Sequence, residues 1–388
     1  MPAADPTRRT RLINRGDALL AMGDAQGALQ AYEQAASSAH EARIELGLLR
    51  AQMQRGQAGD YRHALAFAAH TAGVHVDEVA GRVLYAWLLD RGAQPTMASQ
   101  MLTMAHAAAP QDAQVRALAD VLTSGGAQAL PAVLRAGPAV LAPMAWGVGV
   151  PTAAQVVSAG VLLAGGRQAL VPAAALPLAC QPESSSKAPV EPVVSPRLWL
   201  RNGLGQTVAA HLLDRDDGLG VALLSLDAPL PLLADPIWAA RDAFAGSPAW
   251  ALDHAPDANG AAAWPVMRAG FVGSAGRLGV ALPQPASGGH RGGPVFDGRG
   301  QLTGVALRTT SGDRLLAASA LRQRFGPALG PVLGSGASTT PDSPAASTPT
   351  ELNEPTVSGT PAIIALADAE AIYEAGLHLT LQLLVAPP

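Results

Sequence analysis

The sequence predicts a multidomain protein with an all-α helical repeat domain first and an all-β domain second, followed by a flexible linker and a short C-terminal α/β tail. Helical periodicity with recurring small residues runs through the first 125 residues. From residue 144, short apolar runs alternate with Gly, Pro and Asp turns, which is typical of many short strands. A later segment rich in Ser, Thr and Pro cannot bury a core and is interpreted as a linker. The predicted boundaries are 6–125 for the helical domain, 126–143 for a connector, 144–328 for the β domain, 329–360 for the linker and 361–388 for the tail.

Composition narrows the classes of function. The 388 residues suffice for two or three domains, and 49% of them are hydrophobic, which is typical of globular proteins. A net charge of −4 gives no sign of a nucleic-acid partner. Abundant Ala, Gly, Pro and Arg indicate a GC-rich bacterial coding sequence. Cys180 is the only cysteine, so no intrachain disulfide or cysteine metal cluster can form. That cysteine count fits a reducing compartment, and no apolar segment follows the N-terminal arginines, so we expect no signal peptide and a cytoplasmic protein.

Small residues and one aromatic recur at fixed offsets in the helical region. Gly16, Gly23, Ala28, Tyr32 and Ala35 resemble the tetratricopeptide repeat (TPR) pattern, with looser copies at 46–72 and 83–110. An ordinary Ala-rich helical bundle is the alternative interpretation. Stacked repeats leave a concave groove that usually holds a peptide or a partner helix, so the resemblance implies a protein partner at this domain.

The most specific string in the chain is Gly-His-Arg-Gly-Gly-Pro-Val at residues 289–295. It resembles the nucleophile segment of trypsin-like and HtrA-like serine proteases, and Arg291 stands where that family has its serine. The strand pair before residue 176 resembles the family's base-histidine segment, with Ala174 at the histidine position. The strand that follows Gly220 resembles the one that begins with the orienting aspartate, and Gly220 stands at that position. The resemblance covers residues 144–326 and implies two packed antiparallel β-barrels.

Acyl transfer on such a scaffold needs a hydroxyl, an imidazole and a carboxylate. Ala174 cannot accept a proton, and the guanidinium of Arg291 stays charged. The resemblance therefore implies a pseudoprotease that is not an enzyme and needs no cofactor. Its degenerate oxyanion and cleft loop consists of Gly289, Arg291, Gly292 and Gly293. We expect this cleft to accept an extended peptide, or a carboxylate attracted by Arg291.

The leading hypothesis is thus a protein-binding adaptor, by analogy an accessory part of a bacterial assembly such as a secretion machine. One alternative is an active serine hydrolase with a rearranged site that uses Ser287. Another is a membrane-tethered scaffold, because residues 136–166 carry no charge; several prolines argue against a spanning helix there, so we expect no membrane. The nine histidines show no metal-ligand spacing, so no metal site is expected.

The tail pattern predicts a helix over 366–375 that stops at Gly376, and then a strand over 377–385. That strand would carry four leucines on one face: Leu377, Leu379, Leu381 and Leu383. Such leucines do not stay in solvent, and a complete barrel has few free edges. We therefore expect the strand to dock on the edge of a partner's sheet, with docking on its own barrel as the alternative.

Overall fold

The computed structural model describes part of the chain, in nine segments: 6–123, 146–147, 150–151, 153–177, 180, 197–254, 264–283, 290–326 and 367–386. The predicted connector 126–143 and linker 329–360 lie outside the described residues. Within the described residues, no helix is both long and apolar enough to cross a membrane. The uncharged stretch considered as a membrane span contributes a β-strand at Gln155–Leu163 instead.

Between residues 6 and 123 the structure describes seven helices in sequence, and each packs against its neighbours. Short turns join the helices in pairs; Gly23, with φ of 86°, forms the first of these turns, and Asp24 caps the helix after it. The bounds are α1 Pro6–Ala21, α2 Ala25–Ala36, α3 Ala42–Arg55, α4 Asp60–Val74, α5 Val79–Arg91, α6 Pro95–Ala108 and α7 Ala113–Thr123. The predicted all-α region is confirmed.

The repeat-pattern residues lie where the first helices approach each other most closely. Tyr32 is fully buried, and a Cβ added to Gly16 on α1 or Gly47 on α3 would collide with its ring. Ala28 and Ala35, one turn to either side on α2, are also fully buried. This contact between a large ring and facing glycines is the close packing that the small-residue pattern predicted.

The first barrel is a closed ring of six strands with a short seventh strand attached. Its sheet runs in the order β1-β5-β4-β13-β2-β3-β6, and a β5–β6 pairing closes the ring. The bounds are β1 Trp146–Gly147, β2 Gln155–Leu163, β3 Gln168–Pro172, β4 Arg197–Asn202, β5 Gln206–Asp216, β6 Val221–Leu226 and β13 Thr380–Ala386. The last strand in sequence therefore lies in the middle of this sheet.

The second barrel uses only consecutive strands. Its order is β12-β11-β10-β7-β8-β9, and a bridge between Arg277 and Arg314 joins the two ends. The bounds are β7 Pro248–Asp253, β8 Val266–Val272, β9 Leu278–Val280, β10 Pro294–Phe296, β11 Leu302–Thr309 and β12 Gly312–Ala317, with helix α8 at Ala318–Phe325. The two sheets confirm the predicted double-barrel architecture.

The tail departs from its prediction in both its elements and its docking site. Helix α9 spans Ala369–Leu379 and continues through Gly376, so Leu377 and Leu379 lie on the helix and only Leu381 and Leu383 lie on the strand. Gly376 is needed for close packing rather than for stopping the helix, because a Cβ there would collide with the Leu252 side chain.

The expectation that the tail strand docks on a partner is wrong. Strand β13 pairs antiparallel with β2 on one side and with β4 on the other, all within the same chain. The error came from assuming that the barrel was complete without the tail. The described residues of the segment 144–226 supply five strands of the closed ring, and β13 fills the gap between β2 and β4.

Helix α9 also joins the helical region to the barrels. The ring of Tyr373 lies 4.5 Å from that of Tyr61 on α4 and 6.5 Å from that of Trp264, and its hydroxyl donates to the Pro265 carbonyl at 2.8 Å. Beside this aromatic cluster, Arg268 of β8 donates to the Asp90 carboxylate at 2.8 Å. The helices, the second barrel and the tail therefore share one packed interface.

Candidate functional site

Three segments singled out by the sequence converge where the two barrels meet. The amide of Ala173 donates to the Gly220 carbonyl at 2.9 Å, which places Ala174 beside the start of β6. Gly292 approaches the same region from the second barrel, since a Cβ there would collide with the Ala159 carbonyl and with Pro172. The segments that carry Ala174, Gly220 and Gly292 therefore meet at the junction of the two barrels.

The paired glycines before β10 are required by this close approach. Gly293 lies directly over the backbone of β7, and a Cβ would collide with the Leu252 carbonyl. Gly292 makes the equivalent contact with the backbone of the first barrel. A side chain at either position would push the loop away from the junction. The Gly-Gly pair is therefore explained by packing between the barrels.

Arg291 is buried in this junction and paired with two aspartates. The residue is 2% exposed, and its Nη1 donates to Oδ2 of Asp253 at 2.9 Å. Its Nε donates to Oδ2 of Asp313 at 2.5 Å. Asp253 ends β7 and Asp313 lies at the start of β12, so one guanidinium ties the loop before β10 to two strands. Removing the guanidinium would leave the buried carboxylate of Asp253 without its cation.

Burial dominates the protonation equilibria next to this cluster. It raises the pKa of Asp253 to about 6, although the guanidinium of Arg291 opposes the shift. The next residue, His254, is 2% exposed. Burial, helped by the charges of Arg91 and Arg201, lowers the pKa of its imidazole to about 3. His254 is therefore neutral at physiological pH.

The other two triad-matched positions carry no reactive group. Ala174 is exposed in a 3₁₀ turn after β3, and Gly220 has φ of 76° in the turn before β6. The aspartates just upstream, Asp214 and Asp216, are paired with Arg324 of α8 at 2.6 and 2.8 Å. Those carboxylates bridge the two barrels and orient no base at position 174.

The remaining residues considered from sequence fall into two groups. Gly289 of the predicted cleft loop and Ser287 of the rearranged-site alternative lie outside the described residues. His290 is half-buried, and burial lowers the pKa of its imidazole. His211 lies exposed on β5 and contacts Asp227 at 2.8 Å.

Sequence reasoning missed both carboxylates that hold Arg291. Asp253 ends the apolar run that forms β7, and no local pattern marks it as a partner of Arg291. Asp313 follows a Ser-Gly turn and gave no signal of burial. The available clue was Arg291 itself, since an arginine between buried glycines requires carboxylate partners. Their identity depends on the barrel register, which the sequence does not state.

Comparisons with known proteins give little information about this site. No protein-family model matches the sequence, and no curated protein matches it. Among solved structures, the chain is similar to the serine endoprotease from Yersinia pestis, with 16% identity and a TM-score of 0.32. The match covers 48% of this chain and 60% of that one, so less than two thirds of that protease is represented. At the level of architecture, the chain consists of a helical N-terminal region and two β-barrels.

Proposed function

We propose that the chain is a non-catalytic protein-binding scaffold. In this proposal, TPR-like helices bind a protein partner, and a double barrel without a catalytic triad serves as a rigid block. The observation that carries the proposal is the buried Arg291, held by two aspartates where acyl transfer needs a hydroxyl. A permanently charged guanidinium is no nucleophile, and Ala174 has no group to accept a proton.

The same ion pairs argue against the expectation that Arg291 attracts a carboxylate ligand to the cleft. The guanidinium is buried and already contacts the carboxylates of Asp253 and Asp313. An acidic ligand would have to displace a carboxylate that is fixed to the barrel backbone. The proposed partner surface therefore lies elsewhere, and the cleft is not assigned a carboxylate ligand.

Exposed methionines on α6 support a partner surface in the helical region. Met97 and Met104 are 45% and 51% exposed, and Met101 lies between them on the same helix, half-buried. Residues at such spacing share one helix face. Exposed apolar patches mark interaction sites, and the flexible thioether adapts to varied partner shapes. This face fits an apolar partner segment.

A fluorophosphonate probe tests the non-catalytic half of the proposal. The purified chain should show no more labelling than heat-denatured protein, while trypsin in the same reaction is labelled. Arg291→Ser restores a hydroxyl but no base, so it should also stay unlabelled. Specific labelling of the native chain, removed by Ser287→Ala, would establish the hydrolase alternative instead.

Capture of partners from cell extract tests the binding half. The full chain should retain a protein that the double variant Met97→Glu/Met104→Glu does not retain. Met22→Glu is the matched control, because Met22 is 71% exposed but lies in the turn after α1, away from α6. Equal capture by all three proteins would reject the α6 face as the partner surface.

A further inference from the structure

Three histidines converge on one buried glutamate in the helical region. Glu45, in the first turn of α3, is 4% exposed. The Nε2 atoms of His40, His70 and His75 lie 2.6, 3.8 and 3.4 Å from its carboxylate oxygens. Ligand atoms of His40, Glu45 and His70 all lie within 4.8 Å of one another. The histidines come from the connection between α2 and α3 and from the C-terminal end of α4.

From this arrangement we propose a binding site for a borderline divalent transition metal, with Zn²⁺ as the first candidate, formed by His40, Glu45 and His70. Imidazole and carboxylate are ligands that Zn²⁺ uses, and a water molecule completes a tetrahedral site that has three protein ligands. This site is independent of the proposed scaffold function and of the barrel junction.

The distances between the ligand atoms suit such an ion. With Zn–N and Zn–O bonds of about 2.0–2.1 Å, tetrahedral ligand atoms stand about 3.3 Å apart. The His70 contact with Oε1 of Glu45, at 3.8 Å, is close to that spacing. The distance from His40 Nε2 to the Glu45 carboxylate, now 2.6 Å, must lengthen by less than about 1 Å. Rotations of side chains that are partly in solvent supply such a shift.

A simple hydrogen-bond network accounts for only part of the cluster. His40 lies within hydrogen-bonding distance of Glu45, and the hydroxyl of Thr71 donates to the same carboxylate at 2.7 Å. His70 is beyond hydrogen-bonding distance, and the buried Nε2 of His75 has no hydrogen-bond partner. A metal ion would give the His70 nitrogen a ligand role. Thr71 would then orient the ligating carboxylate, as groups behind metal ligands commonly do.

The site has both an entry path and a structural consequence. The side chains of His40 and His70 are 60% and 49% exposed, so an ion reaches the buried Glu45 from solvent. A bound ion would tie the connection between the first two helical pairs to the end of α4. Because it binds the folded chain, it would raise the free energy of unfolding.

Calorimetric titration of the full chain, without a polyhistidine tag, tests the site with Zn²⁺, and absorption of bound Co²⁺ reports its geometry. We expect one Zn²⁺ per chain, a tetrahedral Co²⁺ spectrum and a higher melting temperature with Zn²⁺. His40→Ala and His70→Ala should each weaken Zn²⁺ binding at least about 10-fold, and the double variant should lose the thermal shift.

His63→Ala is the matched control, because His63 is exposed on the same helix as His70 but lies outside the cluster. It should bind Zn²⁺ like the original chain. Glu45→Gln keeps the shape of the side chain and should also abolish binding of one ion per chain. Absence of that binding, or binding that survives in the His40→Ala/His70→Ala variant, overturns the proposal, since surviving binding would be adventitious.

Discussion

The two barrels of this molecule are completed in different ways. The first takes its sixth ring strand, β13, from the end of the chain, and the second uses only the consecutive strands β7 to β12. At their junction, the second barrel holds a buried arginine with two aspartates, while the first contributes a similar pair of aspartates to a half-exposed arginine. The first barrel therefore depends on apolar burial by a distant segment, and the second on compensated buried charge.

This contrast shows that similar sheets need not have similar weaknesses. A closed barrel can depend on a strand that is distant in sequence, because all strands of the ring are hydrogen-bonded in the same way. A buried ion cluster destabilises the fold mainly when one of its charges loses its partners. Four perturbations, taken from the largest expected effect to the smallest, separate these cases.

Deleting residues 367–386 should have the largest effect. Five leucines on α9 and β13 are at most 2% exposed: Leu377, Leu379, Leu381, Leu383 and Leu384. Their burial contributes on the order of 10 kcal/mol, which is comparable to the whole stability of a typical domain. The truncated chain should lose its cooperative thermal transition, as followed by circular dichroism.

A peptide of residues 367–386 added to the truncated chain provides the control. It should restore a cooperative transition, because the gap between β2 and β4 has the register to receive it. A truncated chain that melts within a few degrees of the full chain would contradict this account. It would show that the tail contributes little to the fold.

Replacing Arg291 with Ala should be the next largest change. It leaves the buried Asp253 without its cation and leaves Asp313 with only Arg308, at 3.8 Å, and breaking such a cluster costs about 3–5 kcal/mol. The free energy of unfolding in urea measures the loss. Joint replacement of Arg291, Asp253 and Asp313 by Met, Leu and Leu should recover much of it, since apolar substitutes remove the unpaired charges.

A small effect of Arg291→Ala, below about 1 kcal/mol, would mean that water reaches the junction and solvates the aspartates. That outcome would remove the contrast between the two barrels. It would also weaken the proposed scaffold function, which rests on the buried state of Arg291.

Moderate acid should destabilise the folded chain through two buried histidines, one after β7 in the second barrel and one on the tail helix α9. The pKa of His254, after β7, is lowered to about 3, and that of His378, on α9, to about 4. The unfolded chain takes up a proton at each histidine near pH 6.5, whereas the folded chain does not. Their stabilising contribution is therefore complete above pH 6.5 and falls as the pH drops. Between pH 7 and pH 5 each loses about 2 kcal/mol.

Asp253 acts in the opposite direction. Its pKa is raised to about 6, so over the same range the folded chain takes up the proton first and gains stability on acidification. Urea denaturation at pH 7 and pH 5 measures the net loss. His254→Gln and His378→Gln should each reduce the difference in the free energy of unfolding between pH 7 and pH 5 by about 2 kcal/mol. An unchanged difference in either variant would show that the histidine is hydrated in the folded chain.

The sequence predicted most of the architecture because local patterns carry it. Helix periodicity and small residues around Tyr32 predicted the helical region, and alternating short runs predicted the strands of both barrels. The glycine-rich string predicted the junction loop. The position of β13 was not predictable from such patterns, because an apolar strand fits any free sheet edge. The choice of edge depends on the gap between β2 and β4 in the first barrel, which appears only once the pairing of the other five strands is known.

The sequence indicated which backbone segments meet at the candidate site, but it did not indicate which carboxylates pair with Arg291. Ala174, Gly220 and Gly292 follow from matched motifs, and the structure brings their segments together. The partners of Arg291 lie 38 and 22 residues away in sequence. Such long-range pairs follow from strand register and burial, neither of which is encoded in local composition.

Replacing Arg324 with Ala should have the smallest effect and supplies the matched control for Arg291. Arg324 also contacts two aspartates, Asp214 and Asp216, but its side chain is 36% exposed and theirs are 41% and 23% exposed. Exposed ion pairs contribute little, and salt screens them within about 3 Å at 1 M. The melting temperature should therefore fall by only a few degrees at low salt, and the difference should vanish at high salt.

The decrease in melting temperature caused by Arg291→Ala should be the same at both salt concentrations, because the buried site excludes the screening ions. A decrease for Arg324→Ala that is large and independent of salt would show that the two barrels depend on this bridge as much as on the buried cluster.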